Sequence, residues 1–198
     1  MTKAAQNKSS LNREIHKRQT YSRFLPSLEL KQQQLLSERR IALTAQQELE
    51  HQIEVVRQWV QQQLPMLAAA NIELSGLVRV ETYAIEMENL VGVILPKLGE
   101  VKLERAAYGY LARPHWVEKL AEQWEIMLLL HLQHKVMIRR IELLQVAVRK
   151  VTQRINLFSK VLIPNAEHNI KRIGLFLSDQ ERAAVVRSKI AKQRHGEG

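Results

Sequence analysis

The 198-residue chain contains no cysteine. That excludes a disulfide framework and any thiolate-held metal. Aromatic residues make up only 5% of it, few for a globular core. No glycine occurs before Gly76, and four of the seven lie between Gly76 and Gly109. Pro65, Pro96 and Pro114, three of the five prolines, fall in or beside the same central zone. The greasiest window, IMLLLHLQHKVMI, is broken by two histidines, a glutamine and a lysine, and is too short to cross a bilayer. The start, MTKAAQNKSSLNREIHKRQ, lacks the apolar stretch of a secretory signal. These absences lead to the expectation of a soluble protein on the cytoplasmic side. No phosphate loop, dinucleotide fingerprint or nucleophile elbow is present, so no catalytic residue is expected.

The chain does have a large and uneven charge. Residues 1–44 hold 9 basic and 3 acidic side chains, residues 45–134 hold 7 and 12, and residues 135–198 hold 14 and 5. Both ends are basic and the middle is acidic. A chain that folds back on itself would bring the two basic ends to one pole.

The flanks carry heptads. The first runs Leu25, Leu28, Gln32, Leu35, Arg39, Ala42, Gln46, Leu49, Ile53, Val56, Val60, alternating steps of three and four. The second runs Leu120, Trp124, Met127, His131, His134, Ile138, Ile141, Gln145, Val148, Thr152, Ile155, Ser159, Leu162. Sustained three–four spacing is the coiled-coil pattern. Pro114 suits the first turn of the second helix. Between the flanks, LVRVETYAIEMENLVGVILPKL and EVKLERAAYGYLA are richer in β-branched and aromatic residues. They predict a cap of two or three short strands, confined to residues 76–112.

The expected fold is therefore mostly α. It is a long antiparallel two-helix coiled coil with a small strand-containing insert at the turnaround. The divisions are an N-terminal helix over 1–70, a cap over 71–113 and a C-terminal helix over 114–198. The second helix is the longer, on the order of 115 Å against roughly 90 Å. An antiparallel register in which facing positions sum to about 184 sets Gln32 near Thr152 and Arg39 near Gln145. Polar layers then meet polar layers, either wet seams or register markers. Residues beyond about Gly174 would overhang the first helix, leaving Leu175, Leu177, Val185, Val186 and Ile190 without a partner.

His131 and His134 lie one turn apart, but no carboxylate or cysteine completes a ligand set, so no metal or cofactor is expected. The basic ends could contact phosphates, yet their charges are interleaved with heptad apolar residues and aromatics are scarce. Nucleic acid is not the expected partner.

One stretch, TQRINLFSKVLIPN at residues 152–165, breaks the helical pattern. Asn156 is a poor helix former, and Pro164 removes a backbone donor. The same stretch resembles the TxRxNxLxxVxIP signature of the D-subunit family of V-type/archaeal-type rotary ATPases. The segment that follows is also similar, at Ile170, Ile173, Leu177, Asp179, Glu181, Arg182, Arg187, Lys189 and Lys192. MENLVGVILPKL resembles the family's Gly-x-x-x-Pro segment at Gly92 and Pro96, and SLELKQQQL echoes a Leu-Leu-Lys-x-Lys-Arg pattern. Gln32, Gln33 and Gln34 depart from the family's basic positions, and Pro26 interrupts a helix that is continuous in the family.

The resemblance implies a central-stalk subunit, the rotor shaft, with no catalytic role of its own. Its partners would be the catalytic and regulatory ATPase ring subunits, a small companion stalk subunit and the connector to the membrane rotor ring. It would sit peripherally on the cytoplasmic face of the membrane. Arg182, Arg187, Lys189, Lys192, Leu177 and Ile190 become candidates for ring contact. Pro164, with Asn156 and Arg154 nearby, becomes the candidate kink or seam, with the helix resuming at Ala166. Gly92 and Pro96 become cap candidates. The other readings are a non-rotary coiled-coil adaptor and a basic nucleic-acid-binding hairpin.

Overall fold

A computed structural model describes residues 5–63, 76–105 and 116–196 of the chain. The element order is α1 (Lys8–Gln63), β1 (Val78–Leu90), β2 (Val93–Arg105), α2 (Trp116–Leu157), a π-turn (Phe158–Leu162) and α3 (Ile163–Gly196). The fold is mostly α with one antiparallel β1–β2 hairpin as its insert. Pro65, Gly109 and Pro114, and the predicted divisions at 70/71 and 113/114, lie outside the described residues.

The helices start and continue for identifiable reasons. Asn7 caps α1: its Oδ1 accepts the Ser10 N–H at 2.7 Å, satisfying one of the orphan amides of the first turn. Pro26 lies within α1 without ending it, so the helix runs on through this departure from the family pattern. A helix of 56 residues loses one internal hydrogen bond there and keeps the rest.

The chain forms two compact units. One comprises residues 1–32 and 150–198. Within it α1 and the last helical stretch pair antiparallel: Asn169 faces Glu14, Phe158 meets Tyr21, and Thr152 bonds Gln32. Ile173, Ala166 and Val151 are buried along that seam. The Tyr21 and Phe158 rings meet edge-on, with centroids 5.4 Å apart.

The other unit comprises residues 33–149. Its helices are antiparallel too, with His134 bonded to Glu50. A cluster of Leu77, Val78, Trp116, Val117, Leu120 and Ala121 anchors the base of the hairpin, with Trp59 and Leu103 packed against it. Burying six apolar side chains of this kind contributes on the order of 10 kcal/mol of transfer free energy before entropy is counted.

The first predicted heptad is the seam. Leu35, Ala42 and Ile53 are buried, and no other member of it is exposed. The second departs at three positions: Leu120 is buried and Gln145, Thr152 and Ser159 are half-buried. Met127, His134, Ile141, Val148, Ile155 and Leu162 are half-buried, but Trp124, His131 and Ile138 are exposed. The buried column lies one residue earlier, at Leu130, Leu144 and Val151. Leu130 precedes His131, Leu144 precedes Gln145, and Val151 precedes Thr152. Where two adjacent columns compete for one seam, the more apolar column goes inside.

The strands are longer than expected, 13 residues each instead of short ones. Register shifts at Val80/Thr82 and Tyr83/Ile85 place an unpaired residue in β1 and an excess one in β2. Such bulges bend and twist a hairpin. The turn is Leu90-Val91-Gly92-Val93, with positive φ at Val91 (52°) and Gly92 (76°). Two consecutive positive φ values are the tight two-residue turn that matches strand twist. The Asn89 side chain braces it, its Oδ1 accepting the Gly92 N–H at 3.0 Å.

Candidate docking surfaces

Three surfaces carry the chain's capacity to bind. The first lies on α3. Antiparallel pairing of Glu14 with Asn169 brings the start of α1, at Lys8, level with about residue 175. Half-burial persists through Phe176, Leu177 and Ser178, and every described side chain from Asp179 to Gln193 is exposed. The unpartnered stretch therefore begins four residues later than the sequence suggests. Leu177 is half-buried, not free. Leu175 (69% exposed), Val185, Val186 and Ile190 are exposed as expected. At 100° per residue, Leu175, Val186 and Ile190 fall within about 60° of one another, with Arg182 and Lys189 beside them. This is an apolar stripe studded with cations. Arg187 and Lys192 are exposed on other sides of the helix.

The second is the hairpin. Every residue of β1 from Glu81 to Asn89 is exposed, whereas Leu95 and Pro96 of β2 are buried. Thus β2 is the inner strand and β1 the outer. Gly92 forms the turn and Pro96 pairs with Met87. A two-stranded sheet leaves each strand one outward edge, so a proline without an N–H is tolerated there. The mount is fixed by charge: Arg140 donates to Glu88 at 2.9 Å, and Arg105 makes a two-pronged pair with Glu125, the Nη2–Oε2 arm at 2.8 Å. Hydrogen bonding from Arg105 holds the Glu125 carboxyl below its ordinary pKa.

The third is an open groove of about 470 Å³ beside β2. Leu49, Pro96, Leu98, Val136 and Met137 supply its apolar lining, and Glu48, Lys97 and Arg140 its charged groups.

The stretch 152–165 has an unforeseen solution. Ile163 N–H donates to the Phe158 carbonyl, one residue further back than in an α-helix. This π-turn precedes Pro164, whose missing N–H leaves the Lys160 carbonyl without its usual donor. The wider turn makes room for the proline ring. Helical structure resumes at Ile163, not Ala166. Asn156, Arg154 and Pro164 are all exposed, so these side chains are not in the seam.

Two paired carboxylates were not foreseen. Glu14 is buried on its helix, accepting from Lys17 at 2.7 Å and Asn169 at 3.4 Å. The Lys17 bond, ahead of the opposing effect of burial, lowers its pKa. Glu50 is exposed, and its pKa is lowered chiefly by its bond to His134 at 3.0 Å. Among the described residues, no group of three His, Asp or Glu could hold a metal ion. No described helix is long and apolar enough to cross a membrane.

An exposed apolar helix stripe, an exposed outer strand and a shallow groove are the kinds of surface that mark interaction sites. The family profile for the ATP synthase D subunit matches residues 10–193. The V-type ATP synthase D subunit of Borreliella burgdorferi is 33% identical over 97% of this chain and 95% of its own length. That of Chlamydia trachomatis serovar L2 is 28% identical over 94% of this chain and 93% of its own. That of Chlamydia muridarum is 33% identical over 58% of this chain and 57% of its own. The chain belongs to the family of V-type ATP synthase D subunits.

Proposed function

We propose that the chain is the central-stalk subunit of a V-type/archaeal-type rotary ATPase and acts as its rotor shaft. Its role is to transmit torque between the ATP-hydrolysing or ATP-synthesising ring and the ion-translocating membrane rotor. It carries out no ATP chemistry; that belongs to the ring. Its partners are the catalytic and regulatory ring subunits, a small companion stalk subunit and the connector to the membrane rotor ring. It is held peripherally at the cytoplasmic face.

The observation that carries this reading is the α3 stripe. Val185, Val186 and Ile190 lie on the stretch of α3 past Ser178 where every described side chain is exposed, and Leu175 is exposed just before it; large apolar side chains left so are costly in water. A lone helix of this kind is stabilised by a sleeve. The bore of a ring supplies one, and Arg182 and Lys189 beside the stripe, with Arg187 and Lys192 on the other sides, would face its lining. The π-turn and Pro164 support an asymmetric shaft, since a helix interrupted there would present different contours to successive ring subunits.

The test is deletion of residues after Leu177. The shortened chain should fold and keep its stalk partner, while docking into the ring weakens and coupling of ATP turnover to ion movement falls. A shortened chain that docks and couples normally but loses the stalk partner would reverse the assignment of the two ends.

A further inference from the structure

Within the unit of residues 1–32 and 150–198, both helices lose backbone hydrogen bonds at one level. Pro26 lies inside α1 and has no N–H to offer the Ser22 carbonyl. In this unit Glu14 with Asn169 sums to 183 and Gln32 with Thr152 to 184, which places Pro26 opposite residues 157–158. There the π-turn Phe158–Leu162 begins. The Ile163 N–H bonds the Phe158 carbonyl instead of that of Ser159, and Pro164 leaves the Lys160 carbonyl without its usual donor. The two breaks thus overlap along the seam.

Packing is thin at the same level. No residue from 15 to 32 on α1 is buried, and none from 152 to 165 opposite. Buried residues lie to either side, at Ser10 and Glu14, and at Val151, Ala166 and Ile173. Two serines turn their hydroxyls back on their own helices there: Ser27 Oγ donates to the Phe24 carbonyl and Ser159 Oγ to the Ile155 carbonyl, each at 2.8 Å. Such back-bonding competes with the helical ladder and favours bending. Tyr21 and Phe158 meet edge-on across the gap, and both are only half-buried.

Local opening in a folded protein follows scarce buried contact and weakened backbone bonding. Both occur here, on both helices, between flanks that are buried. A fixed kink would need buried side chains wedged at the break, and these two stretches supply none. We infer that residues 20–28 and 155–164 form one compliant joint, at which the Glu14–Asn169 end of this unit tilts as a body relative to its Gln32–Thr152 end. Pro26 departs from the pattern of the D-subunit family, so the α1 half of the joint belongs to this chain. The inference rests on the helix pair alone and stands whether or not the chain rotates.

The test uses the full chain. It has no cysteine, so introduced pairs can carry spin labels at chosen sites alone. H16C/L30C spans the joint on α1 and R154C/H168C spans it on the opposite stretch; all four positions are exposed. Q33C/Q47C, also exposed, is the control of equal span on α1. At the ~21 Å expected of such a helical span, dipolar spectroscopy should give distance distributions at least about twofold broader for the two joint pairs than for the control. P26A restores the missing N–H and should narrow both joint pairs, the one on the opposite helix included, and leave the control unchanged. Amide hydrogen exchange at residues 22–28 and 155–163 should slow in P26A by at least about fivefold, while residues 166–173 keep their rate. Joint pairs as narrow as the control would overturn the inference. A shift of mean distance in P26A without narrowing would do the same, by showing a fixed kink. Narrowing and slowed exchange confined to α1 would also overturn it, since the two breaks would then act separately.

Discussion

The Gln32 side chain donates to the Thr152 hydroxyl oxygen at 2.7 Å, and the two positions sum to 184. Glu50 and His134, in the other compact unit, also sum to 184. Glu14 and Asn169 sum to 183. Side chains placed far apart in sequence thus report a single antiparallel register within each unit. Gln32–Thr152 is part-buried, so each partner would leave the other short of a bond if removed. A double-mutant cycle of Q32A and T152A should give a coupling energy of about 0.5–1.5 kcal/mol. Cysteines at 32 and 152 should cross-link efficiently, and cysteines at 39 and 152 should not. Equal yields from both pairs would mean that the register slides.

Glu14 links stability to pH. Its pKa is lowered, first by the Lys17 hydrogen bond and then by Asn169, against a contrary push from burial. A depressed carboxylate pKa stabilises the fold above the group's ordinary value of 4.5 and ceases to do so as pH falls through the folded value. E14Q should therefore cost about 1 kcal/mol at pH 7 and progressively less as the pH falls below 4.5 and through the lowered folded value. Urea unfolding of both proteins across that range measures the gap. A gap that widens toward acid would assign the stabilisation to something other than the ionised carboxylate.

The register was legible because the turnaround expected between about residues 70 and 114 sets the antiparallel sum near 184, and that sum places Gln32 opposite Thr152. The choice of column in the second helix was not. Both Leu130/Leu144 and His131/Gln145 continue the three–four spacing, and spacing alone does not rank them; apolar area does. The length of the strands was hidden by Glu81, Glu86 and Glu88, which dilute the β signal on a strand exposed along both faces. Yet Tyr83, Ile85 and Met87 already showed the period of two that marks the outer row. The π-turn left no composition signature beyond Pro164 itself. A proline in a packed helix can be met by a kink, a stop or a wider turn, and the packing of Phe158 on Tyr21 helps to select among them. The free end of α3 was legible to within four residues: the antiparallel sum places the start of α1 level with about residue 175, but half-burial carries on through Ser178.

The strained turn predicts a gain. Replacing Val91 by Asn or Gly removes a β-branched side chain from positive φ. V91N should raise stability by about 0.5–1 kcal/mol, and V91G by less, because glycine also gains freedom when unfolded. Thermal unfolding ranks the three proteins. Hydrogen exchange at the Gly92 amide, held by Asn89, reports whether the gain is local. A V91N protein less stable than the parent would mean that the Val91 side chain packs within the chain more strongly than its backbone is strained.

The π-turn makes the last prediction. P164A restores an N–H that can bond the Lys160 carbonyl, and alanine is the best helix former. The mutant should then lose its reason for the wide turn and regularise residues 158–163 to α-helix. Propensity alone favours it by about 3 kcal/mol, but regularising adds about one residue's worth of rotation to the helix. Everything C-terminal to the turn is then rephased by about 100° relative to α1. The seam would have to choose: either Ala166 and Ile173 stay buried and the π-turn persists without proline, or the helix regularises and they swing out. Burial of those residues, backed by Glu14–Asn169, outweighs one hydrogen bond, so the π-turn should persist in P164A, with a gain in stability well under 3 kcal/mol. A cysteine pair at Glu14 and Asn169 reads this directly, since the cross-link forms only if the phase is kept. Full loss of that cross-link in P164A would show that proline alone sets the phase of the C-terminal helix.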